Sequence, residues 1–354
     1  MARLSRLFAA QEFGLVAVIV ALCILLSAFG GSVQKRQRDP QTGEVRQVEV
    51  NKFFQRANLD NVLKYCSWTA VMAVGATILI IAGGIDLSIG AIYCLAAVSG
   101  ALFLQAYGPT SPHGGGAAGW VTAIGIAITV AVGAACGAAN GLLVVLLRVH
   151  PFIITLGTML IFRGIAFVRT KAQAITDFPE QFGVVFRGTW LDITYFPLIL
   201  MLCVVAAGFV FLRYTVAGRK NYAIGGNEVA ARYSGVHVGR AKVLAYTLCG
   251  LCGGIAAVIA LGVFGSADSS TGRGYELDVI AAAVVGGASL TGGRGTAIGA
   301  LLGALVIQLI TNGILVLEID MNYSEIIKGV VIIVAVVLDR VSASLNERRL
   351  LRAA

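Results

Sequence analysis

The sequence places a few ionisable and polar side chains inside long apolar stretches, where they could bind a solute, carry a proton or hold helices together. Asp86 and Ser88 lie in IIAGGIDLSIGAI at 80–92, and Arg163 lies in a second apolar run at 152–168. An ionisable side chain at the centre of a membrane helix costs about 2.5–3.5 kcal/mol to insert, so these residues are functional candidates. We expect Arg163 to be paired with a carboxylate or with backbone carbonyls.

Groupings typical of enzymes are missing from the sequence. Cys249 and Cys252 form a CxxC pattern, which we interpret as two small apolar side chains on one helix face, because no further ligands are nearby. The sequence contains no G-x-x-x-x-G-K-[ST] motif, and GGRGTAIG at 292–299 lacks the Lys and Ser/Thr that would hold phosphate and magnesium. We therefore expect a protein that is not an enzyme, with no cofactor, no metal and no nucleic-acid partner.

The composition indicates a membrane protein. Hydrophobic residues make up 58% of the 354 residues and charged residues 13%, whereas a soluble domain carries about 25% charged residues. Apolar runs of this length form helices, because a segment in lipid must satisfy its own backbone hydrogen bonds. We predict an all-α integral membrane protein, one transmembrane domain over 1–354, with broken helices and about ten spanning segments: 13–30, 62–82, 86–107, 118–147, 152–168, 194–213, 243–264, 277–291, 296–317 and 324–341.

The distribution of Lys and Arg predicts that both termini are cytoplasmic. The basic cluster at 213–242 and the basic C-terminal tail decide this orientation, although the loop 31–61 carries six basic residues of its own. That loop then faces the periplasm. Its polar–apolar alternation on either side of 39–43 predicts a small β-hairpin insert.

GGIDLSIG at 83–90 is predicted to interrupt a membrane helix. Gly83 and Gly84 break the helix, and Asp86 then stands at or near the N-cap of the next one. Its carboxylate can accept free N–H groups of the first turn, including that of Ser88. We favour a hinge cap; a role in the substrate path or in gating, and proton coupling, remain the alternatives.

Rows of glycine at a spacing of four predict close contacts between helices. Gly133, Gly137 and Gly141 form one row, and Gly295, Gly299 and Gly303 form another. Small residues at this spacing allow helix backbones to approach closely in lipid. The rows favour a compact bundle over a wide water-filled pore.

The loop 214–242 contains the signals of a short capped helix outside the membrane. Asn227 is a good N-cap, Glu228 suits the positive end of the helix dipole, and Gly235 fits the left-handed position after the C-cap. The small side chains of Ala230 and Ala231 would fit a narrow groove on another protein. An ordinary amphipathic surface turn is the alternative interpretation.

Glu228, Ala230, Ala231 and Gly235 resemble the E-A-A-x-x-x-G loop of ABC-transporter permeases, with one residue inserted after the Glu. In that superfamily the loop forms the coupling helix that docks into a separate ATPase subunit. The resemblance therefore implies that ATP is hydrolysed on a partner chain. It assigns the coupling role to Gly226, Asn227, Glu228, Ala230, Ala231, Ser234 and Gly235.

The rest of the chain is similar to the monosaccharide branch of that superfamily, the ribose, xylose, arabinose and galactose type of permease. The matching stretches are GGIDLSIG, NGLLVVLL, PFIITLGTMLIFRG, YAIGGNEVAARYSG and YELDVIAAAVVGGASLTGGRGTAIGALLGAL. They keep their order from about 60 to 340, whereas the hairpin insert at 33–50 falls outside the resemblance. The resemblance implies a homodimeric permease in the lipid of the bacterial inner membrane, served by an ATPase subunit and an extracytoplasmic sugar-binding protein.

Polar residues in the apolar segments are candidates for the translocation path. Asn140, Thr155 and Asn312 could line it, or could join helices as amide and hydroxyl groups commonly do in membranes. The full set that we assign to the path or hinge is Gly83, Gly84, Asp86, Ser88, Asn140, Thr155, Arg163 and Asn312. We expect the loops 31–61, 169–193 and 265–275 to meet the binding protein, the last through Asp268 and Arg273.

Two other functions remain possible from the sequence. A secondary transporter would use Asp86 as a coupling-ion site at a broken helix. A membrane channel or scaffold is the third possibility. The capped helix at 227–234 favours the ABC permease, because an ion-coupled carrier has no need of a docking element for an ATPase.

Overall fold

A computed structural model describes residues 2–38, 45–112, 119–190, 193–330, 333, 334 and 337. Helices dominate these residues, as the apolar runs predict. The helices are α1 (Ala2–Phe29), α2 (Arg56–Ile81), α3 (Ile89–Ala106), α4 (Gly119–Leu147), α5 (Pro151–Thr170), α6 (Glu180–Arg187), α7 (Tyr195–Tyr214), α8 (Val216–Gly226), α9 (Glu228–Tyr233), α10 (Val238–Phe264), α11 (Tyr275–Val285) and α12 (Ala297–Val316).

Two small antiparallel sheets accompany the helices. Strands β1 (Ser32–Arg38) and β2 (Val45–Asn51) pair in register from Ser32 opposite Asn51 to Arg38 opposite Val45, where the sequence alternation predicts a hairpin. The Asn51 amide donates to the carbonyl of Ser27 at 2.7 Å and ties the hairpin to the end of α1. Strands β3 (Thr189–Trp190) and β4 (Ile193–Thr194) precede α7.

Eight of the described helices are long and apolar enough to cross a membrane: α1, α2, α3, α4, α5, α7, α10 and α12. The predicted number of about ten is therefore not confirmed among the described residues. The segment predicted at 277–291 is the 11-residue α11, which at 1.5 Å per residue is about 17 Å long and cannot cross a hydrocarbon core of about 30 Å. Residues 324–330 of the tenth predicted segment are helical, and most of 331–341 lies outside the described residues.

Helix α10 lies in the core, packed against α2, α3 and α4. A Cβ added at Gly137 would come within 2.9 Å of the Gly250 Cα, and one added at Gly133 within 2.7 Å of the Gly254 Cα. The glycine row on α4 therefore permits the close contact that its spacing predicts. Gly299 and Gly303 of the second row lie against Gly286 and Ala282, whereas Gly295 belongs to the loop before α12, with φ +147°.

The long helix α2 separates two ends of the bundle. Its N-terminal end follows the β1–β2 hairpin, and at its other end the carbonyl of Ile81 accepts from Gly293 and lies against Gly225 of α8. Its 26 residues span about 39 Å. The hairpin and the α8–α9 segment therefore mark opposite ends of the molecule, which we call the hairpin end and the α9 end.

Candidate functional site

Asp86 lies in the predicted break between two membrane helices. Helix α2 ends at Ile81, Gly83 has φ +76°, and α3 begins at Ile89. The Asp86 carboxylate is 5% exposed and accepts from the Ser88 backbone N–H at 2.8 Å and from the Ser88 hydroxyl at 2.6 Å. The N-cap of α3 is Ser88, so Asp86 stands two residues before the N-cap, near the position that the sequence predicts.

Asn140 of α4 completes a buried polar cluster with Asp86 and Ser88. Its amide donates to both carboxylate oxygens of Asp86, at 3.1 and 3.3 Å, and to the Ser88 hydroxyl oxygen at 2.7 Å. The amide oxygen of Asn140 has no hydrogen-bond partner among the described residues. Nearby, the Tyr246 hydroxyl of α10 donates to the carbonyl of Ile85 at 3.2 Å. The break between α2 and α3 is thus fastened to α4 and α10 by neutral donors.

Arg163 binds backbone carbonyls rather than a carboxylate. Its guanidinium donates at 3.2–3.4 Å to three carbonyl oxygens of the loop between α10 and α11, those of Ser269, Thr271 and Gly272. The Cys94 thiol of α3 lies 3.6 Å from the carbonyls of Asp268 and Ser269. This loop, 265–274, is therefore fixed to both α3 and α5.

The loop 265–274 folds back into the bundle from the hairpin end. Gly272 packs against Tyr93 and lies near the Gly90 carbonyl, and these residues stand about 20–24 Å along α3 from its end at Ala106. Such irregular backbone occurs at membrane depth only where protein buries it or where it lines a cavity. Arg273 is exposed, whereas Asp268 is half-buried within the loop. Their contact with a binding protein stays a prediction.

The other two path candidates take part in bonds within and between helices. Asn312 of α12 and Asn58 of α2 exchange a pair of amide hydrogen bonds, at 2.7 and 3.2 Å. Thr155 is fully buried, and its hydroxyl donates to the carbonyl of Pro151 in its own helix at 3.0 Å. Of the two roles that the sequence left open for Asn312, these contacts favour the joining of helices.

Helix α9 has the caps that the sequence predicts. The Asn227 side chain accepts from the Ala230 backbone N–H at 2.9 Å, and Gly235, with φ +81°, follows the C-cap Ser234. Glu228 binds Lys242 of α10 at 2.7 Å and Arg232 at 3.0 Å. The hydrogen bond from Lys242 holds the pKa of the Glu228 carboxyl below its ordinary 4.5, so it is ionised at neutral pH.

The exposed face of α9 differs from the predicted one. Ala231 is 5% exposed and packs with Ile224 and Val238 of its own chain, so it is not free to enter a groove on another protein. Tyr233 is 89% exposed and Val229 63%. These two apolar side chains, together with exposed Ala230, form the surface that α9 offers. The sequence does not reveal this face, because the six-residue helix is too short for its period to show which side is buried.

Glu276, in the first turn of α11, is a further carboxylate near the break before α3. Its Oε2 is buried without a hydrogen-bond partner among the described residues and lies against Gly90, in the first turn of α3. Asp278, two residues later, pairs with Lys328 at 2.8 Å. The depth of Glu276 follows from the inward loop before α11, which no local pattern in the sequence reveals.

A family described as branched-chain amino acid transport system / permease component matches residues 58–336, a span that includes the polar cluster, the inward loop and α9. The chain belongs to this permease family. Eight helices in the described part of the chain are apolar and long enough to span, and the protein is a multi-pass inner-membrane protein. Helix α1 and the β1–β2 hairpin precede the matched residues. No solved structure is significantly similar to the chain.

Several curated relatives are named as sugar import permeases. The ribose import permease of Escherichia coli K12 is 40% identical over 291 residues, which cover 81% of this chain and 87% of that protein. The ribose import permease of Bacillus subtilis strain 168 is 39% identical, covering 81% and 86%. The galactose/methyl galactoside import permease of Escherichia coli K12 is 37% identical, covering 81% and 87%.

Proposed function

We propose that this permease forms the membrane path of an ABC importer for a monosaccharide. An extracytoplasmic binding protein delivers the sugar at the hairpin end, and a separate ATPase subunit drives transport from the α9 end. Two copies of the chain form the path. The observation that carries the proposal is α9: a short helix capped by Asn227, with exposed apolar side chains. It lies at the end of the bundle opposite the hairpin, and α2 spans about 39 Å between the two ends.

The bracing of α9 suits the transmission of force. Glu228 links α9 to α10 through Lys242, and α10 is the core helix that packs against α2, α3 and α4. A push on α9 therefore reaches the helices that hold the Asp86 cluster. Helix α8 adds a second connection, because Gly225 lies against the end of α2.

The substrate class rests on the relatives, which are named for ribose, galactose and methyl galactoside. A neutral sugar also suits a membrane region with few charged side chains. Nothing in the geometry favours an ion-coupled carrier, since Asp86 is held by Ser88 and Asn140 in a break that they stabilise. The ABC importer is thus the function that we retain.

The test is co-purification of the ATPase subunit with the permease. Tyr233→Ala removes an exposed ring from α9 without disturbing its caps, and we expect it to weaken the association about tenfold or more, as loss of an aromatic anchor at an interface does. Tyr323→Ala is the matched control, because Tyr323 is 56% exposed and lies beyond α12, at the hairpin end. Full retention of the ATPase by Tyr233→Ala would argue against docking through α9.

Charge reversal at Glu228 is a second, less selective variant. Because Glu228 pairs with both Lys242 and Arg232, Glu228→Arg places three cations together and loosens α9 from α10. Loss of the ATPase in this variant supports the assignment only if Tyr233→Ala, which leaves those ion pairs in place, also loses it.

A further inference from the structure

We propose that the chain itself contains a monosaccharide-binding site, in the cavity between α3, α10 and the loop 265–274. This inference rests on the proposed function for the class of ligand and adds a place where the sugar pauses within the membrane. The cavity measures about 300 Å³. Its lining includes three aromatic rings and three polar side chains: Tyr93, Phe264, Tyr275, Ser266, Asp268 and Thr271.

The aromatic side chains continue from the cavity toward the hairpin end. The rings of Tyr93 and Tyr275 lie 5.5 Å apart between centroids. Phe264 stands 5.4 Å from the Trp68 ring, and Trp68 stands 4.9 Å from that of Tyr65. Tyr65 is 38% exposed and Phe264 47%, so the row begins at the surface of the chain. Aromatic faces stack on the apolar C–H faces of sugar rings and leave the sugar hydroxyls free for hydrogen bonds.

Polar atoms in the cavity are available for those hydroxyls. The Oδ1 of Asp268 accepts from Ser270 and from the Thr271 N–H, at 2.6–3.0 Å, and its Oδ2 takes part in none of these bonds. The hydroxyls of Tyr93 and Ser266 have no hydrogen-bond partner among the described residues. A cavity that combines apolar walls with a few fixed polar groups is the usual form of a small-molecule site.

The size of the cavity fits one sugar ring. Its volume of about 300 Å³ lies at the lower end of the range of about 300–1,000 Å³ found for small-molecule sites. That size suits a monosaccharide, whereas a disaccharide is about twice as large.

The loop 265–274 folds into the bundle, and its contacts there indicate no role other than forming this cavity. Holding irregular backbone at this depth takes the guanidinium of Arg163 and the close approach of Gly272 to Tyr93. A backbone interruption at membrane depth is a recurring feature of transporter substrate sites. Arg163 is then a positioning residue, which holds the loop while Asp268 and Thr271 face the cavity.

The test is protection of an engineered thiol by sugar. Ser266→Cys, in a Cys203→Ser background that removes the one exposed native cysteine among the described residues, is reacted with a water-soluble methanethiosulfonate in the assembled importer without its binding protein. D-Ribose, D-galactose and D-allose are added singly at millimolar concentration. We expect at least one to slow modification, by about tenfold at ten times its dissociation constant; sucrose should not.

Two variants, with a third as control, test whether the sugar that protects the thiol is bound in this cavity. Tyr93→Phe keeps the ring and removes a hydroxyl with no partner in the described chain, so it should raise the sugar concentration needed for protection about three- to tenfold, the effect of one hydrogen bond. Tyr107→Phe, the same change at the far end of α3, should not. Asp268→Asn retains Oδ1 for the loop and should act like Tyr93→Phe.

The outcomes distinguish an error in the proposed sugar-binding site from an error in the proposed transport function. If labelled ribose or another monosaccharide enters proteoliposomes through the complete importer, but no monosaccharide protects the thiol, the site is wrong and the function stands. A thiol that the reagent never reaches, or equal protection by sucrose, also overturns the site. If the complete importer takes up no pentose or hexose, the proposed function and the site fall together.

Discussion

The contacts of Asp86 favour a structural role for this buried carboxylate. Its donors, the Ser88 backbone, the Ser88 hydroxyl and the Asn140 amide, are all neutral. They satisfy the carboxylate at the point where Gly83 turns the chain away from α2. The break between α2 and α3 therefore has a defined geometry that Asn140 of α4 helps to hold, and we propose that it acts as a hinge.

Replacing Asp86 should separate hydrogen bonding from charge. Asp86→Asn keeps an oxygen for Ser88, and Asn140 can turn its unpartnered amide oxygen toward the new amide, so we expect a loss of stability within about 1 kcal/mol and partial transport. Asp86→Leu leaves the donors of Ser88 and Asn140 buried and unpaired, and should cost at least about 2 kcal/mol. Denaturation of the purified permease in detergent measures both.

The same two variants test for a role of the charge. Complete loss of transport in Asp86→Asn and in Asp86→Leu alike, with normal amounts of each in the membrane, would contradict the hinge and show that the ionised carboxylate is needed. Sugar uptake by vesicles from cells expressing each variant gives that comparison.

At the level of elements, the sequence predicts what depends on local pattern. Among the described residues, apolar length located eight helices long enough to cross a membrane, alternation located β1 and β2, and capping residues located α9. Tertiary contacts decided the rest. The inward course of 265–274 depends on Arg163, more than 100 residues away in the chain, and the short α11 is stable because α2, α3 and α12 pack around it.

The contact between α4 and α10 should tolerate no added methyl group. A Cβ at Gly137 would come within 2.9 Å of the Gly250 Cα, so we expect Gly137→Ala to lower the free energy of unfolding by about 1–3 kcal/mol, despite the better helix propensity of Ala. Gly157→Ala on α5 is the matched control, since a Cβ there meets nothing within 4 Å. It should be neutral or stabilising by up to about 1 kcal/mol. Equal stability of the two variants would mean that α4 and α10 lie further apart.

Across the whole molecule, the relative position of the hairpin and α9 depends on α2 and not on the number of spanning helices. It runs from the hairpin to the Gly225 contact, and its 26 residues exceed the about 20 needed to cross a bilayer. We therefore expect the hairpin and α9 to face opposite compartments. An importer with an ATPase at α9 requires α9 to be cytoplasmic, which agrees with the basic cluster at 213–242.

Thiol labelling of intact cells tests this orientation. In the Cys203→Ser background, the outer barrier of the cells is made permeable and a membrane-impermeant maleimide is added outside. Gln47→Cys, at an exposed position on β2, should react, because we expect the hairpin to face the periplasm. Tyr233→Cys, which replaces a side chain 89% exposed on α9, should react only after the inner membrane is opened. The reverse pattern would place α9 outside, where no ATP-hydrolysing subunit could reach it, and the ABC importer would be excluded. Reaction of both from one side would instead contradict the passage of α2 across the membrane.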